Sequence, residues 1–558
     1  MTAIPAPENE VATANVAEAT MTEVQEPEEM SRYLKLPSVI LISIVLCLAT
    51  FCVAVDNTII STAVPRITKS FDSIDDVGWY ASIYPLTSCA FQPSYGKIYS
   101  IFSSKRVFLA ALFIFEIGSV VCATAPSSHA FIGGRALAGL GSAGIQAGTT
   151  LILAESVPLR QRPTWNSIIG SMFAVGSVVG PLLGGAFSDI TTWRWCFYIN
   201  LPIGGSVMIF IIFFYTGNHV TNQSSGPIGL RDQIERFDLA GTCVFVAATV
   251  CLLLALSWGG TTYAWDNARI VVLLTIAGVL LCLFYGIEGW KKDNAIIPLR
   301  LLRRRSICAA ILFGICLGGV FFVNVYYIPL WFQLVNGVSA VESAILFIPY
   351  MLSVVGGFML AGFGTAATGY YTPFVYAGSI LMSIGTGLLT TVQPHLTSRA
   401  KWIGFQILCG VGIGFGEEQG IYMVQTTLPE KDVAIGVGIV FFAQTFGGAL
   451  FVSVAQTVFL GNISKALKKT APDLDPQSVI NSASAGSAQT SPELQAVYAP
   501  AIRDALRVGL ILATVSSLGA LLYDWKSLKA KNDDGNNGTS RGHGAEQEAQ
   551  VRTEEKKE

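Results

Sequence analysis

Among the ionisable residues that sit inside long apolar runs of this 558-residue chain, four stand out, because a charge there needs a purpose. Asp56 lies near the end of the first run and Arg135 near the start of the fourth. At the centre of a bilayer a charged side chain costs roughly 3 kcal/mol on insertion scales, so it finds a partner or water. If successive runs cross a membrane in alternate directions, Asp56 and Arg135 reach similar depth. They then form an ion pair whose carboxylate can take up and release a proton. The other two, Glu417 and Glu418, are adjacent in "GFGEEQGIYMVQ". Neighbouring carboxylates in a glycine-rich run repel each other, and the chemistry they offer is proton carriage. Glu116 is a weaker candidate of the same kind, and Glu155 reads as interfacial.

Other chemistry is thinly supplied. The four histidines, His129, His219, His395 and His543, fall between apolar runs or in the tail. The eleven cysteines form no C-x-x-C pattern, and most lie within apolar runs as small hydrophobic residues. No metal site, disulfide framework or P-loop is expected. The reading is therefore no enzyme and no cofactor, and an ion gradient rather than ATP as the energy source of any transport.

The elements that position these residues follow from composition. Hydrophobic residues make up 52% of the chain and charged residues 13%, about half the roughly 25% charge of soluble domains. A net charge of −2 gives no basic field for nucleic acid. Fourteen apolar runs between residues 38 and 523 match fourteen membrane helices of about 20 residues each. The fold class expected is an all-α polytopic membrane protein.

The first 36 residues carry seven Glu before Arg32 and lack a signal-peptide pattern, so they read as a disordered cytosolic tail. With the N-terminus inside, 23 of the 35 Lys and Arg fall in cytosolic segments and ten outside. That bias implies an even number of spans with both termini cytosolic. The plasma membrane is the expected location, with the vacuolar membrane as alternative. The domain reading is a tail 1–36, a six-helix half 37–216, a linker 217–237, two inserted helices with a basic loop 238–305, a second six-helix half 306–525 and a tail 526–558. An outer loop 461–504 would carry the sequon Asn462-Ile463-Ser464, a possible glycosylation site.

The two halves resemble each other. With a shift of 271 residues, Gly139 falls on Gly410, Gly141 on Gly412, Pro158 on Pro429 and Arg160 on Lys431. Arg135 then falls on Gln406 and Gln146 on Glu417. Such duplicated halves packed about a central cavity are a transporter architecture. Eleven residues are three helical turns, so Gln146 shares a face with Arg135 and Glu417 with Gln406. Glu418 is turned away by about 100°. Gln146, Gln406, Tyr326 and Tyr327 are candidate cavity residues; with Phe321, Phe322, Trp331 and Phe332 the two tyrosines form either a pocket wall for a hydrophobic ligand or an aromatic lipid or packing face.

Several motifs carry a family resemblance. The first run ends "VAVDNTIISTAVPRIT", the fourth holds "RALAGLG" with Ala138 where Gln is usual, and the fifth holds "GSVVGPLLGG", followed by "WRWCFYINLPIGG". These are similar to the major facilitator superfamily, in its fourteen-span drug:proton antiporter branch. "GKIYSIFSSKRVFL" and "FFAQTFGGALFVSVAQTVF" resemble fungal toxin-efflux members in particular. The resemblance covers residues 38–525. It implies a major facilitator fold of two six-helix halves plus two central helices, and proton-coupled export of a hydrophobic toxin, secondary metabolite or drug. The antiporter motif falls on Gly176, Gly180, Pro181, Gly184 and Gly185, read as a bend and sliding surface. A cytosolic gating loop falls on Gly96, Lys97, Lys105 and Arg106, with Ser100 and Ser103 replacing the usual Asp and Gly. The expected partners are a small-molecule substrate, protons and the lipid bilayer, the protein acting as a monomer. A carrier for siderophore, glutathione or amino acids is the first alternative, and a non-transporting sensor or scaffold the second.

Overall fold

Long apolar runs separated by short polar turns fold here as helices whose ends are fixed by local caps. In the computed structural model, residues 33–73, 76–215, 237–260, 263–394, 398–470 and 492–528 are described. Residues 1–32 of the expected tail, almost all of the linker, residues 471–491 of the expected loop and the chain beyond 528 lie outside them.

The helices are α1 Leu36–Phe71, α2 Val77–Ile101, α3 Ser104–Thr124, α4 Ser128–Ser156, α5 Arg162–Ile190 and α6 Asn200–Phe214. They continue as α7 Leu239–Trp258, α8 Ala268–Lys291, α9 Arg305–Leu334, α10 Ala340–Thr368 and α11 Thr372–Leu389. The last are α12 Arg399–Gly416, α13 Gln419–Thr427, α14 Glu430–Thr470 and α15 Pro492–Leu521. Ser103, Ser127, Asp238, Asn267 and Ser339 cap α3, α4, α7, α8 and α10 by accepting a first-turn N–H. Ser103 thus has a structural task, where the family pattern has glycine.

Twelve of the described helices are long and apolar enough to cross a membrane. Hydropathy therefore does not establish the count of fourteen. α2 is rich in Tyr, Ser and Pro, while the twelfth segment opens with Arg399 and Lys401 and is broken into α12 and α13. The fold class is all-α and multi-pass, with no strand among the described residues.

We call the end of the bundle where α1 begins proximal and the other end distal. α1 to α6 pack as one group and α9 to α15 as another. The repeat register is visible in contacts. Gly139 on α4 lets the Tyr84–Thr87 turn of α2 approach, and Gly410 on α12 does the same for the Tyr350–Ser353 turn of α10. The inserted pair α7–α8 lies against the seam between α2 and α14, with Phe245 5.3 Å from Phe442 and Trp79 5.5 Å from Trp258.

The halves meet along two seams. On α2 and α14, a Cβ at Gly96 would sit 2.8 Å from Ala434 O, and one at Gly438 would sit 2.9 Å from Gln92 O. On α5 and α10, Gly362 faces Ser167 and Pro163, and Tyr422 of α13 donates to Pro163 O at 3.4 Å. Both seams are drawn tight at the proximal end.

Helix α14 runs through residue 461 to Thr470, and α15 starts at Pro492 rather than near 505. The loop 461–504 is correspondingly shorter. Asn462 lies within α14 and donates from Nδ2 to Asp504 Oδ2 at 2.8 Å. A helical, hydrogen-bonded asparagine lacks the open surface-loop setting of a glycosylation acceptor, which favours an unmodified sequon.

Candidate functional site

In the N-terminal half, α1 and α4 bring Asp56 and Arg135 together. Arg135 Nη1 donates to Asp56 Oδ2 at 2.6 Å and to its carbonyl at 3.2 Å, and both side chains are wholly buried. Asn200 on α6 donates to Asp56 Oδ1 at 2.9 Å, so both carboxylate oxygens are held. The guanidinium lies 4.4 Å from the centre of the Tyr84 ring, which shields it by a cation–π contact. Sequence reasoning missed Asn200, although a polar residue in the apolar stretch "YINLPIGG" was a signal. Glu116 is buried on α3 over Gly204, and neither carboxyl oxygen has a hydrogen-bond partner among the described residues.

In the C-terminal half, the regular helical ladder is interrupted at the acidic pair, although both residues keep right-handed helical dihedrals. α12 ends at Gly416 and α13 starts at Gln419, leaving Glu417 and Glu418 in the break. Gly410, Gly412, Gly414, Gly416 and Gly420 weaken the helix around it, and Gln444 of α14 donates to the Glu417 carbonyl at 2.7 Å. Irregular backbone at membrane depth is tolerated where it lines a cavity, and here it does.

That cavity, about 190 Å³, lies between the halves near mid-depth. Its N-terminal wall is uncharged and mixed, with Thr50, Gln146, Thr149 and Asn166 beside Ile169 and Phe173. The C-terminal wall carries Phe321, Phe322, Phe358 and Phe441 with Glu417 and Glu418. Both glutamates therefore line the cavity. The expectation that Glu418 turns away is corrected, because side chains about 100° apart on a helix can both border a cavity of this width.

The other cavity candidates separate. Gln146 lines this cavity and accepts from Gln92 at 3.1 Å. Gln406 lines a different, distal pocket with Trp402 and Arg399, and donates to Leu346 O at 3.2 Å. Tyr327 is buried against Phe459, and Tyr326 is half exposed; neither lines the central cavity. The aromatics that do line it sit five residues earlier on α9.

Gly176, Gly180 and Gly184 pack against Ala54, Thr58 and Thr62 of α1, within one half. Thr62 donates to the Pro181 carbonyl at 3.0 Å and Thr58 to that of Gly176 at 3.3 Å. Gly185 faces open space. The stripe is an internal seam, and the surfaces between halves use other glycines.

Of the loop cations, Lys105 donates to Ile212 O and Arg106 to its own cap, Ser103. Lys97 is buried beside Gly96 and donates to Asp293 O at 3.1 Å. Asp293 holds Arg300 at 2.7 Å, and Arg300 grips Asp432 of α14 with two bonds of 2.6 Å. This clasp joins α2, the inserted segment and α14 across the proximal seam. The bonds from Asp432 raise the Arg300 guanidinium still further above its ordinary range.

A match to the Major Facilitator Superfamily runs over residues 46–452. The chain belongs to that superfamily. Its relatives include the MFS-type transporter astH of Aspergillus oryzae, 43% identical, the match covering 94% of both chains. The efflux pump aflT of Aspergillus parasiticus is 43% identical over 91% of this chain and 99% of its own. The MFS-type efflux pump MFS1 of Arthroderma benhamiae is 45% identical over 87% and 91%. Among solved structures, the proton:xylose symporter XylE shares the fold with a TM-score of 0.58 at 14% identity, covering 89% of this chain and 99% of that one. The human organic anion transporter MFSD10 gives 0.52 at 14% identity, covering 85% and 98%. This superfamily member thus combines the two-half fold with a buried ion pair on one side and a carboxylate-lined cavity on the other.

Proposed function

We propose that this protein is a proton-coupled efflux transporter that moves a hydrophobic small molecule by alternating access, with no chemistry performed on the cargo. The observation that carries this reading is the cavity between the halves, apolar for cargo and lined by two carboxyl groups for protons. Its volume of about 190 Å³ is below the roughly 300–1,000 Å³ of drug-sized sites, so loading requires the halves to part. Similarity to fungal efflux pumps supports export, and the excess of Lys and Arg supports a cytosolic proximal face. With that orientation the tight seams close the cavity toward the cytosol. The plasma membrane is the location that fits a toxin exporter. The ion pair Asp56–Arg135 tightens the N-terminal half, and Glu417 with Glu418 exchange protons as cargo comes and goes.

The test uses purified protein in proteoliposomes with a fluorescent hydrophobic cargo and an imposed pH gradient. Cargo movement opposite to the proton flow, abolished by a protonophore, is the expected result. Movement indifferent to the gradient would remove proton coupling, and no movement at all would favour a sensor or scaffold.

A further inference from the structure

We infer that the central cavity selects aromatic molecules that present a positive charge or a neutral hydrogen-bond donor, and rejects anions. This rests on reading the cavity as the cargo site, and it adds the chemical class of cargo.

The two walls divide the work. Phe321, Phe322, Phe358 and Phe441 give ring faces and edges for a flat aromatic body. All formal charge comes from Glu417 and Glu418, and no Lys, Arg or His is among the lining residues. Ionised carboxylates accept hydrogen bonds and donate none, so the strongest polar groups here call for a donor. The site also has unused bonding capacity. Glu418 Oε2 and Thr149 Oγ1 are buried with no hydrogen-bond partner among the described residues. Thr149 is 6% exposed, an interior group facing the cavity. Buried polar groups in folded proteins are nearly always bonded, and two unbonded ones at one cavity mark where cargo atoms bind. Arg135 is buried in its pair with Asp56 and is not in the lining. A carboxylate cargo would enter beside two carboxyl groups with no cation to meet it.

The experiment is equilibrium binding to the full-length protein in nanodiscs, with no gradient, using three fluorescent probes on one skeleton. They are 1-naphthylmethylammonium, 1-naphthalenemethanol and 1-naphthoate. At pH 7.5 the expected order is ammonium, then alcohol, with naphthoate at least tenfold weaker than the ammonium. In the Glu417→Gln/Glu418→Gln double variant the ammonium should lose about tenfold and naphthoate should gain. The alcohol should stay within a factor of two, which reports an intact cavity. Glu418→Gln alone should give part of the same shift. Naphthoate binding native protein as tightly as the ammonium overturns the inference. So does an unchanged order in the double variant, or binding of none of the three. Because no transport is measured, failure of export or proton coupling leaves this result standing. Conversely, coupled export of naphthoate would sink the cargo class alone.

Discussion

In the N-terminal half, the first and fourth helices meet at Asp56 and Arg135. In the C-terminal half the repeat-equivalent pair, α9 and α12, meets at neutral groups: Asn324 Nδ2 lies 3.3 Å from Cys409 Sγ. Gln406, the counterpart of Arg135, lies one turn away. Farther along the same helices the pattern reverses. α4 shows the cavity a neutral Gln146, and its counterpart on α12 is Glu417. One half locks its charge in a dry pair, and the other leaves its charge unpaired at the cavity. A locked pair holds shape, whereas an open carboxyl group can meet a proton or a ligand. Duplicated halves can thus divide holding and exchanging without changing the backbone plan.

The largest expected effect comes from breaking the locked pair. Asp56→Asn or Arg135→Gln leaves one buried partner uncompensated, which costs about 3–5 kcal/mol in comparable pairs. Abundance of folded protein, measured by size-exclusion chromatography of tagged variants, should fall sharply for each. The double change should recover much of it. Strictly additive losses would show that the pair carries no mutual stabilisation.

Next come the two kinds of glycine seam. Gly438→Leu drives a side chain into Gln92 O and the backbone of Gly96 across the halves, and overpacking of this kind costs about 1–3 kcal/mol. The cost falls on the proximally closed state. A cysteine placed at Thr149 should therefore label faster from the proximal side. Gly180→Leu strikes Thr58 within one half, so it should lower abundance without changing that labelling. Equal labelling in both variants would erase the distinction between internal and sliding seams.

The clasp should respond less. Arg300→Gln removes a two-pronged charged hydrogen bond from buried Asp432, a contribution of about 1.5–3 kcal/mol per bond to a charged group before solvent exposure of Arg300 reduces it. Arg300 is shifted upward, so its contribution is complete below its unfolded value and lost only in strong alkali. Native closure should be flat from about pH 6 to 9. Arg300→His has an ordinary value near 6.5, so its closure should weaken as pH rises through about 7. The same Thr149 labelling assay reads both. A pH-independent Arg300→His variant would mean that the clasp does not hold the seam.

Composition and apolar runs made the all-helical membrane fold legible, and the glycine register revealed the two halves. Asp56 and Arg135 could be paired by depth because both lie in continuous helices. Reading failed where a facing angle was pressed too far: Glu417 and Glu418, about 100° apart on a helix, both line the cavity. Of the six ninth-run aromatics chosen by residue type, rotation of α9 puts Phe321 and Phe322 at the cavity and Tyr326, Tyr327, Trp331 and Phe332 away from it. The clasp was illegible because Lys97, Asp293, Arg300 and Asp432 are separated by up to 335 residues and meet only through the fold.

The smallest stability effect, and the sharpest test of the comparison, lies at the open carboxyl groups. Glu417→Gln and Glu418→Gln keep shape and remove only the ability to ionise. Neither glutamate has an ion-pair partner among the described residues, so no opposite charge is left stranded by the change. Folded abundance should stay within about twofold of native, a shift below roughly 0.5 kcal/mol, as for substitutions that break no buried pair. Transport should tell them apart from the locked pair. A glutamine mimics the protonated carboxyl, so each single variant should blunt the response of efflux to an imposed pH gradient. The double variant should lose that response while still exchanging cargo down its own gradient. Both residues line one cavity, so the two singles should be comparable. A strong effect of Glu417→Gln beside a silent Glu418→Gln would restore the one-faced reading of the helix. Full pH response in the double variant would move proton exchange to the N-terminal half, where Glu116 is the carboxyl group that Arg135 does not hold.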